Sequence, residues 1–171
     1  DSAGLAISEN MRGKIRGLNQ AKRNANDAIS MVQVAEGGMN EMGNILVRMR
    51  ELTVQAATDT IGDTDRSYLN REYTQLASEI DRIAATTEFN GNKFFTDTSD
   101  NPKSRYIIQV GTNGTDADSN QDTLNINLQG LKFTAADLGI GKGAEIGPSD
   151  NEPTPVRTEI ANRLEVLDKA L

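Results

Sequence analysis

Between residues 3 and 57 the apolar side chains recur at helical spacing. One column repeats every seven residues: Met11, Leu18, Ala25, Val32, Met39 and Leu46. Ile15 and Ile29 flank it early, and Ala28, Ala35, Met42, Met49 and Ala56 flank it later. A stripe that changes flank is expected where a nearly straight helix of 3.6 residues per turn meets a seven-residue repeat. No proline interrupts this stretch. Gly13, Gly17, Gly37, Gly38 and Gly43 do, each costing up to about 1 kcal/mol against Ala in a helix interior. Either the helix breaks at Gly37-Gly38, or it is continuous and its glycines admit a neighbouring backbone.

Residues 58–65 form a turn-rich connector, with Asp63 or Thr64 as the expected N-cap. A second helix is predicted over 66–86, where Leu69, Tyr73, Leu76, Ile80 and Ile83 make a heptad seam. The short connector folds it back antiparallel on the first. Glu88-Phe89-Asn90-Gly91-Asn92 reads as a turn. A β-hairpin is predicted over 105–128, its strands at Tyr106–Val110 and Leu124–Leu128 and its long polar loop at Gly111–Asp122. Residues 129–153, with repeated glycines and a proline, read as irregular connection. Thr154-Pro155 then supplies an N-cap and first helical position for a third helix, 155–171. Ile160, Leu164, Leu167 and Leu171 form its seam. The fold class is therefore mainly α: a long, coiled-coil-like helical bundle with one hairpin, taken as a single domain over 1–171.

Length arithmetic adds a partner. A helix of about 55 residues is roughly 80 Å long, and one of about 22 residues spans roughly 33 Å. The second helix covers less than half of the first helix's stripe, and a bare apolar stripe marks an interaction surface. The chain is expected to continue beyond these residues, to pack against other subunits, or both.

Composition narrows the chemistry. The chain of 171 residues has only 4% aromatic residues, which suits a thin helical packing of aliphatic side chains more than a thick globule. A net charge of −7 with both signs interspersed argues against nucleic acid. With no Cys and no His, thiol nucleophiles, zinc sites, histidine acid–base chemistry and disulfides are excluded. No apolar run reaches the roughly 18 residues of a membrane span. Asp116, Asp118, Asn120 and Asp122 alternate like a calcium loop, but Gln121 and Asn127 stand where such a loop needs its glycine and its bidentate Glu. The glycines around Lys142 lack the spacing of a phosphate loop. No enzyme, no metal and no cofactor is expected. All five methionines (11, 31, 39, 42 and 49) lie in the first helix. Seam packing accounts for all but Met31, the candidate for an intersubunit contact.

Several motifs in order then carry a resemblance. Ser2-Ala3-Gly4-Leu5-Ala6-Ile7-Ser8-Glu9-Asn10-Met11-Arg12-Gly13, Ile15-Arg16-Gly17-Leu18-Asn19-Gln20-Ala21 and Val34-Ala35-Glu36-Gly37 resemble the amino-terminal core of bacterial flagellins. So do Arg48–Ala56, Glu79–Ala84 and Thr87–Gly91, and the likeness covers about residues 2–95. Residues 156–171 look like the start of the family's returning helix. The resemblance implies one continuous first helix, a shorter antiparallel helix, a hairpin and a returning helix. It further implies a structural subunit of the flagellar filament, outside the cell, that polymerises with its own kind and serves motility. In the family the terminal segments beyond this domain form an inner tube, carry the type III export signal and meet an export chaperone; these lie outside the chain. Receptor recognition by Toll-like receptor 5 is also implied, its contact pattern falling on Arg48, Leu52 and Glu72; Leu52, beside the seam, equally reads as core, and Arg48 and Glu72 as solvated helix charges. A hook–filament junction protein and a secreted receptor-binding or adhesin module are the alternatives.

Overall fold

A computed structural model describes residues 2–96, 105–112, 122–128, 131–148 and 157–171. Helix α1 is continuous over Ser2–Ala56. Gly37-Gly38 therefore lies inside one helix and does not divide two. Its buried apolar side chains are Ala21, Ala28, Met31, Ala35, Met42, Ile45, Leu46, Met49, Leu52 and Ala56. All but Leu46 fall, with half-buried Gly17, Asn24 and Gly38, on one series that advances alternately by four and three residues from 17 to 56. That is the a/d spacing of a coiled-coil seam.

The seam is not the column that the bulky aliphatics trace. Met11, Leu18, Val32 and Met39 are 61%, 54%, 45% and 38% exposed, and in that column only Leu46 is buried. The packed series lies about 60° away round the helix, three residues along. Its members are mostly Ala, Gly and Met. Small side chains let another element come close, so packing follows shape at those positions and leaves larger neighbours outside.

The chain divides into two compact units, Asp1–Val34 with Ser99–Gly130, and Ala35–Thr98 with Leu131–Leu171. In the first, β3 (Arg105–Gln109) and β4 (Thr123–Asn127) pair antiparallel, Ile107 opposite Asn125. Both strands begin one residue earlier than the sequence suggests. Asn24 Nδ2 of α1 donates to the Gln109 carbonyl at 2.9 Å. A Cβ on Gly17 would stand 2.7 Å from the Thr112 methyl. Asp116, Asp118 and Asn120 of the acidic loop lie outside the described residues, as does the Thr154-Pro155 cap.

The second unit holds α2 (Asp63–Thr86), the two-residue strands β1 (Glu88–Phe89) and β2 (Asn92–Lys93), an irregular segment over 131–148, and α3 (Arg157–Ala170). Gly62 is the N-cap of α2 and makes no side-chain bond, so neither Asp63 nor Thr64 caps it. Asp63 and Asp65 sit instead in the first turn, where carboxylates meet the positive end of the helix dipole. From α2, Tyr73, Ile80 and Ile83 of the expected seam are buried with Asn70, Ala77 and Ala84, while Leu69 and Leu76 are half-buried. Asn90 and Gly91 both take positive φ (51° and 76°) between β1 and β2, the requirement of a tight type I′ hairpin turn. Ile160 and Leu167 of α3 are buried, Leu164 is half-buried and Leu171 is exposed.

Candidate functional site

Two faces of α1 have different fates. On the packed face, Gly38 is closed in by Thr87 and Phe95; a Cβ there would lie 2.9 Å from Thr87 Oγ1 and 3.0 Å from both the Thr87 methyl and Phe95 Cε2. Neither neighbour yields easily. Thr87 Oγ1 donates to the Ile83 carbonyl at 2.7 Å, and buried Phe95 packs edge-on against Phe94 and Phe133, at 6.1 and 5.5 Å between ring centroids. Gly37, one residue along, has nothing within 4 Å.

On the exposed face, within the first unit, Met11, Ile15, Leu18, Ile29 and Val32 fall, with half-buried Ala25, on a second four-three series, interrupted by Lys22. It lies about 100° round the helix from the packed one. A run of apolar side chains at coiled-coil spacing, open to water and edged by charge, has the form of a helix-docking surface. Met31, the methionine singled out for an intersubunit contact, belongs to the packed series and is buried, so it is not available to a neighbour. Met11 and Met39 are the methionines that face outward. The sequence signal that separates them is the phase of the small residues, with Gly17 and Gly38 in register with Met31.

The three residues of the receptor pattern separate as well. Arg48 Nε donates to Glu72 Oε1 at 2.8 Å, joining α1 to α2 within the second unit, and Arg48 Nη1 reaches Glu51 Oε2 at 3.0 Å. Its bond to Glu72, reinforced by Glu51, holds the guanidinium pKa above its ordinary value. Both partners of the pair are about half-exposed. Leu52 is 1% exposed and fills the core; an apolar anchor offered to a partner it is not. It sits on the packed series beside Met49, which removes it from the surface.

Buried polar groups of the second unit serve packing. Asn70 Oδ1 accepts from the Ile146 amide at 2.9 Å, and Asp81 Oδ1 from the Ala135 amide at 2.7 Å, which fixes the irregular segment on α2. These acceptors lie outside the apolar pattern from which sequence reasoning works. The Tyr73 hydroxyl is buried without a hydrogen-bond partner. Burial pushes its pKa up to about 12, Arg163 opposing and Glu145 adding to the effect. Among the described residues no group of three or more acidic side chains is placed to hold a metal ion. None of their helices is long and apolar enough to cross a membrane.

Residues 1–100 match the bacterial flagellin N-terminal helical region. A flagellin of Halalkalibacterium halodurans is 51% identical over 113 residues, 66% of this chain and 40% of that protein. One of Clostridium tyrobutyricum is 61% identical over 93 residues, 54% of this chain and 25% of that protein. The chain thus spans well under half of these relatives' length. The crystal structure of Bacillus cereus flagellin superposes with a TM-score of 0.66 at 32% identity, over 86% of this chain and 74% of that one. A helical order shared with that structure and a match over more than half of the residues together make this chain a member of the bacterial flagellin family.

Proposed function

We propose that the chain is the core of a structural subunit of the bacterial flagellar filament, extracellular, polymerising with copies of itself and serving motility without catalysis. The observation that carries this reading is the exposed four-three series on α1, beside a packed one of the same spacing. One face fixes the subunit's own fold; the other is left for helices outside the chain. Repeated association that does not close on itself builds an open helical filament.

The test is a chimera in which residues 1–171 replace the corresponding segment of the Bacillus cereus flagellin, expressed in a strain lacking its own. Swarming should return. It should be lost in the Leu18→Asp, Val32→Asp chimera, whose changes are at exposed positions and should leave far-ultraviolet circular dichroism intact. A parent chimera that is secreted yet builds no filament would defeat the reading and favour a junction protein or a free receptor-binding module.

Recognition by Toll-like receptor 5 is a second reading, favoured by the exposed Arg48–Glu72 pair across two helices. It rests on that charged pair alone, since Leu52 is core. Separate Arg48→Ala and Glu72→Ala variants in a receptor reporter assay decide it: unchanged signalling would remove both residues from the contact.

A further inference from the structure

Within the second unit, Asn90 and Gly91 make the turn between β1 and β2, with φ of 51° and 76°. The Asn90 side chain is exposed, and nothing lies within 4 Å of where a Gly91 Cβ would stand. Phe89 pairs with Asn92 across the turn, which leaves the Gly91 amide outside the strand ladder. We propose that Asn90-Gly91 is a self-modification site, where attack by the Gly91 amide expels the Asn90 carboxamide nitrogen and the isoaspartate formed opens the β1–β2 hairpin. The ring closes within one dipeptide, so the site needs no partner and no docking face.

Water is the only reagent the step consumes. The Gly91 backbone nitrogen attacks Asn90 Cγ, a C–N bond forms, the Cγ–Nδ2 bond breaks, and the amide proton leaves with ammonia. Water then opens the cyclic imide at either carbonyl, giving aspartate or isoaspartate at position 90. Glycine puts no side chain in the path of the attack. Ring closure requires the turn to loosen, and strands of two residues each resist that weakly. Elsewhere the reaction is held back. Asn10, Asn19, Asn40, Asn44 and Asn70 lie in α1 and α2, where the following amide is bonded along the helix and ψ is fixed. Asn92 Nδ2 is engaged, donating to the Phe89 and Asn90 carbonyls, each at 3.4 Å. Isoaspartate carries an extra methylene in the main chain, so the tight turn and the Phe89–Asn92 register cannot both persist. Phe94 and Phe95 follow directly and both are buried, which carries the change into the packing of the second unit.

Native chain, held in mildly alkaline buffer and sampled over time, tests the site by peptide mapping with fragmentation. Asn90 should convert on the order of tenfold faster than Asn10, Asn19, Asn40, Asn44 and Asn70, with isoaspartate among the products. Conversion no faster than at those helical asparagines would overturn the site, as would aspartate without isoaspartate, the mark of direct hydrolysis. The other Asn-Gly pair, Asn113-Gly114, lies outside the described residues and is read on its own peptide. Hairpin opening is tested by melting. Aged parent should melt several degrees below fresh parent, while the Asn90→Gly chain, which keeps positive φ but has no carboxamide, should melt unchanged after the same ageing. Converted parent that melts like fresh parent, or an equal fall in the variant, would overturn the opening.

Discussion

Gly37 and Gly38 are neighbours in one helix, yet replacing each with Ala should move stability in opposite directions. In a helix interior Ala is worth about 1 kcal/mol over Gly, because glycine loses more backbone freedom on folding. At Gly37 nothing lies within 4 Å of a new Cβ, so Gly37→Ala collects the whole gain, about 1 kcal/mol. At Gly38 the Cβ would meet Thr87 and Phe95 at 2.9–3.0 Å. Rotating Thr87 does not help, since its hydroxyl and its methyl are both too near and the hydroxyl is bonded to Ile83. Overpacking of this kind costs about 1–3 kcal/mol. Set against the helical gain, the net for Gly38→Ala is a loss of up to about 2 kcal/mol. Both positions lie in the second unit, so one melting transition reports both. For a chain of this size 1 kcal/mol moves Tm by about 2–4 °C. Thermal unfolding followed by circular dichroism should therefore rise by that amount for Gly37→Ala and fall for Gly38→Ala. Equal stabilisation by both would refute the close packing of α1 against Thr87 and Phe95.

Three further outcomes follow from the same core. Gly147→Ala should destabilise by about 3 kcal/mol or more, because its Cβ would run into the Arg66 carbonyl oxygen, a backbone atom; an unchanged denaturant midpoint would contradict that contact. Leu52→Ala should lose about 2–5 kcal/mol in urea unfolding, as a fully buried leucine does, whereas Arg48→Ala, at the surface, should leave the midpoint almost unmoved. Tyr73 carries a pH signature. Its folded pKa, about 12, lies above the phenol's ordinary 10, so the neutral form is favoured in the fold. Its contribution is complete below pH 10 and is lost as pH rises from 10 through 12, amounting to about 3 kcal/mol. Tyr73→Phe should flatten that part of the stability profile relative to the parent; identical alkaline profiles would rule it out.

Element types were legible in the sequence because α1, α2 and α3 carry sustained apolar spacing and the Asn90-Gly91 pair admits a tight turn. The phase of α1's packing was harder to read. Size draws attention to Met11, Leu18, Val32 and Met39, but Ala21, Ala28 and Ala35 pack more closely, and Gly17, Asn24 and Gly38 complete their seam. A hydrophobicity count scores those three positions as gaps. Their place becomes clear only when Thr112, Gln109, Thr87 and Phe95 come up against them from elsewhere in the chain. The same phase error explains Met31, assigned to a surface and buried, while Leu52, named through the receptor pattern, takes the core position that its place beside the seam also allowed. The irregular segment 131–148 is fixed by Asn70 and Asp81 side chains accepting backbone amides, a pairing with no periodic signature.

We propose that α1 packs one face within this chain and offers another to helices outside it, and seeded assembly of the chimera tests this most directly. Purified chimeric monomer mixed with short filament fragments should lengthen them under the electron microscope. The Leu18→Asp, Val32→Asp chimera, equally helical by circular dichroism, should not. Seeds that fail to grow with the parent, or that grow equally with both, would contradict the account.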